Sequence, residues 1–466
     1  MKYYKIENLE IIDAGAEGKA VGKKEGLTVF VPFAVPGDMV DVEVFKKKKG
    51  YAEARILEIK TKSPHRIEPQ CAHFGLCGGC KWQILDYETQ LKYKQKQVED
   101  AFRHLGKFEF PSVLPIIPSK NQYKYRNKLE YTFSHLRWLD EEDMRLRDAG
   151  KILETRGLGF HIPGKFDKVL DIRHCSLQAE PSNEIRNSVR NFAIEHEISF
   201  YNIRNHEGVL RNIIIRNNTK DELMVILSLT EMNEKIKLLL DFVKEKFSQI
   251  ISLYYVINTK LNDSILDLEP VLYAGVSHIS ETMENLQFKI GPLSFFQTNS
   301  LQAIELYKVV RDFAQISPKN IVYDLYTGTG TIALFIARQA QKVVGIEYVD
   351  AAIEDATYNA QRNGINNTVF FAGDMKEVLN ENCIKRNGIP DVVITDPPRA
   401  GMHPEVIARL LEMAPPKIVY ISCNPATQAR DITELAKKYT VTKVQPVDMF
   451  PHTHHVESVV KLMLMK

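Results

Sequence analysis

The chain has 466 residues, of which 44% are hydrophobic and 26% charged. That balance belongs to an ordinary globular protein and excludes a disordered or collagen-like chain. Its net charge of +2 excludes any argument for nucleic-acid binding from total charge, so such a surface has to come from local clustering. No apolar run approaches the roughly 20 residues of a membrane span, Met1-Lys2-Tyr3-Tyr4-Lys5 lacks the apolar core of a signal peptide, and six cysteines in so long a chain argue against a disulfide scaffold. A cytoplasmic protein of roughly three domains, with no membrane partner, is the expectation.

Residues 1–62 read as short strands separated by turns. Val29-Phe30-Val31-Pro32-Phe33 and Pro36-Gly37 are followed by Met39-Val40-Asp41-Val42-Glu43-Val44, which alternates with period two, and then by Ala52 to Ile59. About five such strands fit a small OB-like barrel, a fold that commonly binds oligonucleotides. The four lysines Lys46 to Lys49 are placed in a hairpin loop, either a solvated turn or a contact for RNA phosphates.

Cys71, Cys77 and Cys80, separated by five and then two residues around Gly78-Gly79, form a metal-type cluster. The other two candidates lie in the C-terminal half, so Cys175 is the expected fourth ligand. Such a set can hold an iron–sulfur cluster or a Cys₄ zinc, and His73 and His174 leave a mixed Cys/His zinc site open.

Tyr87 to Leu105 has helical spacing, with Leu91, Val98, Phe102 and Leu105 on one side and a basic face on the other. Tyr123 to Tyr131 interleaves aromatics with cations and could stack bases or simply edge a strand. The charged stretch Asp140 to Lys151 reads as a loop or insertion. Strands at 210–216, 223–229 and 252–259, with helices at 182–196 and 233–248, make 63–285 an α+β central domain.

Residues 286–466 follow a regular α/β pattern. Strand Ile321-Val322-Tyr323-Asp324-Leu325, the turn Tyr326-Thr327-Gly328-Thr329-Gly330-Thr331, a helix, and strand Lys342 to Glu347 describe a nucleotide-type Rossmann site whose terminal acid accepts ribose hydroxyls. A G-x-G without a third spaced glycine suits an adenosyl group better than a dinucleotide. Asp374 ends a further strand and can reach an adenine, and Asp396 stands before two prolines that fix its loop. The apolar run Ile418 to Ile421 delivers Cys423 to a strand tip, where Asn424-Pro425 turns the chain. This is either a core thiol or a presented nucleophile. His452, His454 and His455 offer a weaker metal reading.

Phe295-Phe296-Gln297-Thr298-Asn299, Asp324 to Gly330, Asp396-Pro397-Pro398-Arg399-Ala400-Gly401, Ser422-Cys423-Asn424-Pro425 and Asp448 to Glu457 together resemble the RNA uracil-C5 methyltransferase family, in its order. The N-terminal barrel resembles the TRAM domain, and Cys71/Cys77/Cys80/Cys175 resemble the [4Fe-4S] site of the 23S ribosomal RNA branch. The resemblance implies a class I methyltransferase domain that uses S-adenosylmethionine, with Cys423 as nucleophile at uracil C6 and Glu457 as general base. It further implies Gln297, Tyr326, Thr331, Glu347, Asp374 and Asp396 as cofactor contacts, a flipped uridine of 23S ribosomal RNA as substrate, and a monomer. Thr327 departs from the cysteine that many members carry there, with little effect expected. The transfer-RNA branch, an amino-group methyltransferase (through the likeness of Asp396-Pro397-Pro398-Arg399 to its tetrad) and a non-catalytic iron–sulfur RNA-binding protein are the alternatives.

Overall fold

The computed structural model describes residues 4–465. They divide into two compact units, one of 1–70, 80–122 and 302–466, the other of 71–79 and 123–301. Among the described residues no helix is long and apolar enough to cross a membrane.

The first unit opens with five strands, β1 (Tyr4–Ala14), β2 (Ala20–Lys24), β3 (Leu27–Val31), β4 (Met39–Lys48) and β5 (Tyr51–Thr61), closed into a barrel of order β1-β2-β3-β5-β4. Alternation sends Leu9, Ile11, Val29, Val31, Val40, Val42, Ala52 and Ala54 inward. Buried Asp38 ties the barrel to the next segment, accepting from Val35 N at 2.7 Å, Ser63 N at 2.9 Å and Arg66 Nη2 at 2.5 Å. The lysine run differs from expectation, because Lys46 to Lys48 extend strand β4 and only Lys49 and Gly50 make the turn. Lys46 pairs with Glu53 at 2.6 Å, while Lys47 and Lys48 lie over the rings of Tyr4 and Tyr51. Helix α1 (Tyr87–Asp100) follows, capped by Asp86, whose side chain accepts from Thr89 N.

The second unit is built on a seven-stranded sheet of order β12-β11-β10-β9-β6-β7-β8. In chain order its elements are β6 (Lys128–Ser134), α2 (Glu141–Asp148), β7 (Gly157–Ile162), β8 (Lys165–Asp171), α3 (Ser182–Glu195), β9 (Leu210–Asn217), β10 (Leu223–Leu229), α4 (Glu234–Lys246), β11 (Ile250–Ile257) and β12 (Val271–Gly275). A separate hairpin, β13 (Ile279–Met283) and β14 (Leu286–Ile290), completes it. Apolar residues of α3 and α4 share one core with the sheet. Two expectations change here. The charged stretch at 140–151 forms α2, because Asp140 and Asp143 make a reciprocal capping box and Arg137 clamps the Asp143 carboxylate with two bonds. Tyr125 and Tyr131, read as possible base-stacking residues, are instead 5% and 0% exposed and belong to the interior.

Helix α5 (Ser300–Ala314) leads back to the first unit. There β15 (Ile321–Leu325), α6 (Thr331–Ala337), β16 (Lys342–Glu347), α7 (Asp350–Arg362), β17 (Thr368–Ala372), α8 (Met375–Val378), α9 (Glu381–Asn387), β18 (Val392–Thr395), α10 (Pro404–Met413), β19 (Lys417–Ser422), α11 (Pro425–Leu435), β20 (Tyr439–Val447) and β21 (Glu457–Leu464) build a second seven-stranded sheet. Its order is β17-β16-β15-β18-β19-β21-β20, parallel except for β21, which runs antiparallel to both neighbours. The strands read as near-continuous apolar runs because both faces are covered. Strand order reverses at β15, and it is outside the carboxyl ends of the strands at such a switch point that open α/β sheets bind their ligands. Val98 and Phe102, from α1 and the turn after it, share the core of this sheet.

Candidate active site

The glycine turn after β15 is shaped from below by Asp324. This fully buried carboxylate accepts from Thr327 Oγ1 at 2.5 Å and Ala333 N at 3.0 Å, both on Oδ2. Its Oδ1 is buried with no hydrogen-bond partner, and burial pushes its pKa up to about 7. The sequence signal for this role of Asp324 is its place at a strand tip before a glycine turn. Thr327, the departure from the family pattern, supplies a hydroxyl donor to that carboxylate. Gly330 adopts φ +78°, and a Cβ there would come within 3.0 Å of Ala356 Cβ. A Cβ on Gly328 would meet nothing within 4 Å, so the turn faces open space.

Glu347, at the end of β16, accepts from Gly328 N at 3.1 Å, Tyr348 N at 2.8 Å and Val349 N at 3.1 Å. It thereby couples the acid to the glycine turn. Tyr326 occupies the left-handed region at φ +63°, and burial pushes its phenol up to about 12. Thr331 begins α6, its Oγ1 3.1 Å from the hydroxyl of buried Tyr307. Asp374 caps α8 and lies 3.6 Å from Lys376 Nζ, its side chain 40% exposed. Gln297 stands in the other compact unit, before α5, where its carbonyl accepts from Asn127 Nδ2 at 2.8 Å. The glycine turn, Tyr326, Thr331, Glu347, Asp374 and Asp396 thus share one unit, and Gln297 is outside it.

The β19–β21 register decides the geometry of the other half of the site. Lys417 pairs with Met463 and Ser422 with Ser458, the last pair of the ladder; one residue further, the same register sets Cys423 opposite Glu457, whose charge acts on the thiol. Residues directly opposite on antiparallel strands have Cβ atoms roughly 5 Å apart and face the same side. Buried Gln428 locks these strand tips, donating to Tyr420 O at 3.0 Å and Ser458 O at 3.1 Å. Asn424 caps α11 through Ala426 N, and together with Thr427 it donates to the Arg399 carbonyl at 3.2 and 3.1 Å. Asp431 holds the same loop from behind, accepting from Met402 N at 2.8 Å and Tyr420 OH at 2.6 Å.

The electrostatics are those of a desolvated site. Burial, and then the charge of Asp396, push Glu457 up to about 8, with Arg399 opposing. Burial and Asp324 raise Asp396 to about 7. Burial and Glu457 raise the Cys423 thiol to about 11, against the charge and hydrogen bonding of Arg399. The sequence reading gave Arg399 no part, although it stands three residues after Asp396 and acts on both Cys423 and Glu457.

Three of the four expected metal-binding cysteines, Cys71, Cys77 and Cys175, belong to one unit, and Cys80 to the other. Cys77 and Cys175 pack against Ile162, Leu170 and Ile172. Burial pushes the Cys77 thiol up to about 11, with Cys175 and Cys71 adding to the rise. Among the described residues no three His, Cys, Asp or Glu side chains converge as ligands of a single ion. The mixed zinc reading weakens further at His73, whose Nε2 accepts from Arg173 N at 3.1 Å. Nor do His452, His454 and His455 belong to such a group among the described residues, and the His452 backbone N–H donates to Gln90 Oε1 at 2.8 Å.

Residues 276–465 match the family described as tRNA (uracil-5-)-methyltransferase, and residues 5–57 match the TRAM domain. An uncharacterised RNA methyltransferase of Bacteroides thetaiotaomicron is 55% identical over 96% of this chain and 99% of its own length. One from Chlorobaculum tepidum is 40% identical over 97% and 95%. Among solved structures, the Pyrococcus abyssi tRNA (uracil-54, C5)-methyltransferase in complex with S-adenosyl-L-homocysteine is 31% identical, with a TM-score of 0.75, over 98% of this chain and 100% of that one.

Proposed function

The chain belongs to the RNA uracil-C5 methyltransferase family and carries a TRAM domain, and from that premise we propose that it methylates C5 of a uridine in 23S ribosomal RNA. In this reading residues 1–62 contact RNA, 63–285 form the central domain, 286–466 carry the chemistry, and the protein acts as a cytoplasmic monomer. The observation that carries it is the placement of a thiol and a desolvated carboxyl on one rung, at the sheet end beside an open glycine turn.

S-adenosylmethionine supplies the electrophilic methyl group. The residues present fit it: Glu347 and the Gly328 turn form an open acid-and-amide cradle, and Tyr326, Thr331, Asp374, Asp396 and Gln297 are the further contacts proposed. Cys423 Sγ, as thiolate, would form a bond to uracil C6. The displaced pair of the C5–C6 double bond would make C5 the nucleophile that takes the methyl group as its bond to the sulfonium sulfur breaks, leaving S-adenosylhomocysteine. Glu457 then takes the C5 proton. The pair left behind re-forms the C5–C6 double bond, and Cys423 departs as thiolate. Arg399 favours the ionised forms of both groups. Glu347→Ala is expected to weaken S-adenosylhomocysteine binding roughly 10- to 100-fold in calorimetry, because three backbone donors lose a charged acceptor.

For the cysteines we propose a [4Fe-4S] cluster rather than zinc. The four donors would all be sulfur, and Cys77 and Cys175 pack against Ile162, Leu170 and Ile172, which would shield a cluster. Anaerobically purified protein is expected to contain iron and acid-labile sulfide in equal amounts, and Cys77→Ser to lose both. Zinc without sulfide would overturn this assignment.

A transfer-RNA uridine is the second reading, because the Pyrococcus abyssi enzyme acts on tRNA and its structure spans 98% of this chain. The barrel therefore does not separate the two RNA classes. Total RNA from a strain lacking this chain, incubated with the enzyme and methyl-tritiated S-adenosylmethionine, separates them by fractionation. Label in 23S RNA supports the proposal, label confined to tRNA replaces it with the second reading, and no label in uracil overturns both.

A further inference from the structure

Helix α1 presents Tyr87, Gln90 and Lys94 at helical spacing, and all three reach the segment 448–452, five residues before Glu457. Tyr87 OH donates to Asp448 Oδ2 at 2.8 Å. Gln90 accepts from His452 N at 2.8 Å, while its amide donates to the carbonyls of Trp82 and Leu85 at 3.0 and 2.8 Å. Lys94 Nζ donates to Asp448 Oδ1 at 2.5 Å and to Phe450 O at 2.9 Å. Phe450 N donates to the same carboxylate at 3.1 Å, and Lys81 N and Trp82 N both donate to His452 O at 3.0 Å. The segment needs this support, since His452 has φ +65°.

Stability alone is a poor reason for the pair at the centre of this network. The side chains of Lys94 and Asp448 are both 0% exposed. Removing two ions from water costs several kcal/mol each, and apolar replacements of such pairs are often neutral or stabilising. A leucine stripe would dock α1 against the sheet equally well. What an ammonium adds is direction, because it bonds a carboxylate and a backbone carbonyl of one turn together.

We infer that Lys94, assisted by Tyr87 and Gln90, is a positioning residue for Glu457, holding the 448–452 turn so that the chain enters β21 with the Glu457 carboxyl on the rung of Cys423. The inference rests on the reading of Glu457 as base. It does not make Lys94 a catalytic residue.

The test uses the full-length protein, total RNA from the strain lacking it, and denaturing gels that resolve the covalent protein–RNA adduct. Lys94→Met alone strands a buried carboxylate, so Lys94→Met with Asp448→Asn, which removes both charges at nearly constant shape, is the informative variant. It is expected to melt like the parent and keep its KM for S-adenosylmethionine, with kcat falling roughly 100-fold, the cost of about 1 Å of misplacement. The adduct should accumulate, because the proton-abstraction step is the one slowed. Tyr87→Phe, which leaves both charges in place, should show the same pattern at smaller amplitude and decides the matter if the double variant does not fold. Parental kcat, or slower turnover without adduct, overturns the inference. Glu457→Gln serves as control: if it traps no adduct in this assay, the assignment of the base has failed and not the role of Lys94.

Discussion

Cys423→Ala is expected to abolish methyl transfer and adduct formation while leaving the melting temperature near that of the parent. Uracil C5 is too weak a nucleophile to attack a sulfonium methyl without addition at C6, and in the proposed mechanism the half-buried thiol just past β19 makes that addition. Loss of a nucleophile that acts as a unit with its neighbours costs on the order of 10⁶-fold in a well-studied hydrolase, so activity should fall to background here. The fold should tolerate the change, since Asn424, Gln428 and Asp431 hold the tip through bonds in which Cys423 takes no part. Tritium release from 5-tritiated uridine RNA measures the reaction directly. Release by Cys423→Ala at the parental rate would sink the mechanism. Methyl transfer to RNA without tritium release would favour an amino-group methyltransferase, and neither release nor methyl transfer by the parent would favour an RNA-binding protein without catalysis.

Turnover by Glu457→Gln should fall roughly 10²- to 10⁴-fold, the range for loss of a general base. Unlike the cysteine variant, it should trap the methylated adduct, because C5 keeps its proton and Cys423 cannot leave. The pH dependence follows from the carboxyl being pushed up to about 8 by burial and Asp396. Only the ionised form accepts a proton, so kcat should rise with pH through about 8, and the glutamine variant should lose that limb. Stability should run the other way. The folded pKa of Glu457 lies above its unfolded value of about 4.3, so its contribution is fully present below that value and is lost as pH rises through about 8. Burial of Asp324 and Asp396 adds the same trend up to about 7. Denaturant midpoints should therefore fall between pH 5 and pH 9, and less steeply in Glu457→Gln. A kcat flat across that range would count against Glu457 as the base.

Much of the catalytic half was legible from residues alone. Strand β15, its glycine turn and the acid ending β16 follow from local chemistry, where an apolar run, a conformational requirement and a fixed spacing leave few arrangements. The strand ending at Cys423 is legible for the same reason, with Asn424-Pro425 closing it. The short barrel strands follow from period-two alternation. Misreadings arose where context overrides local pattern. Eight charged residues among the twelve at 140–151 suggest a loop, but a capping box and Arg137 make them α2. An aromatic–cation stretch suggested an RNA-facing edge, yet the sheet it enters buries Tyr125 and Tyr131. Lys94 lies on the basic face of a helix, yet it is wholly inside.

The sequence by itself determined which chemical groups this protein can use: a thiol at a strand tip, acids at strand ends, and a glycine turn fit for an adenosyl group. Those are properties of a residue and its near neighbours. Only the tertiary structure decided that Cys423 and Glu457, 34 residues apart, share a rung, because antiparallel register is set by pairing between distant segments. Only it, likewise, desolvates Glu457 and pushes its carboxyl up to about 8, because burial is a property of everything packed around a group.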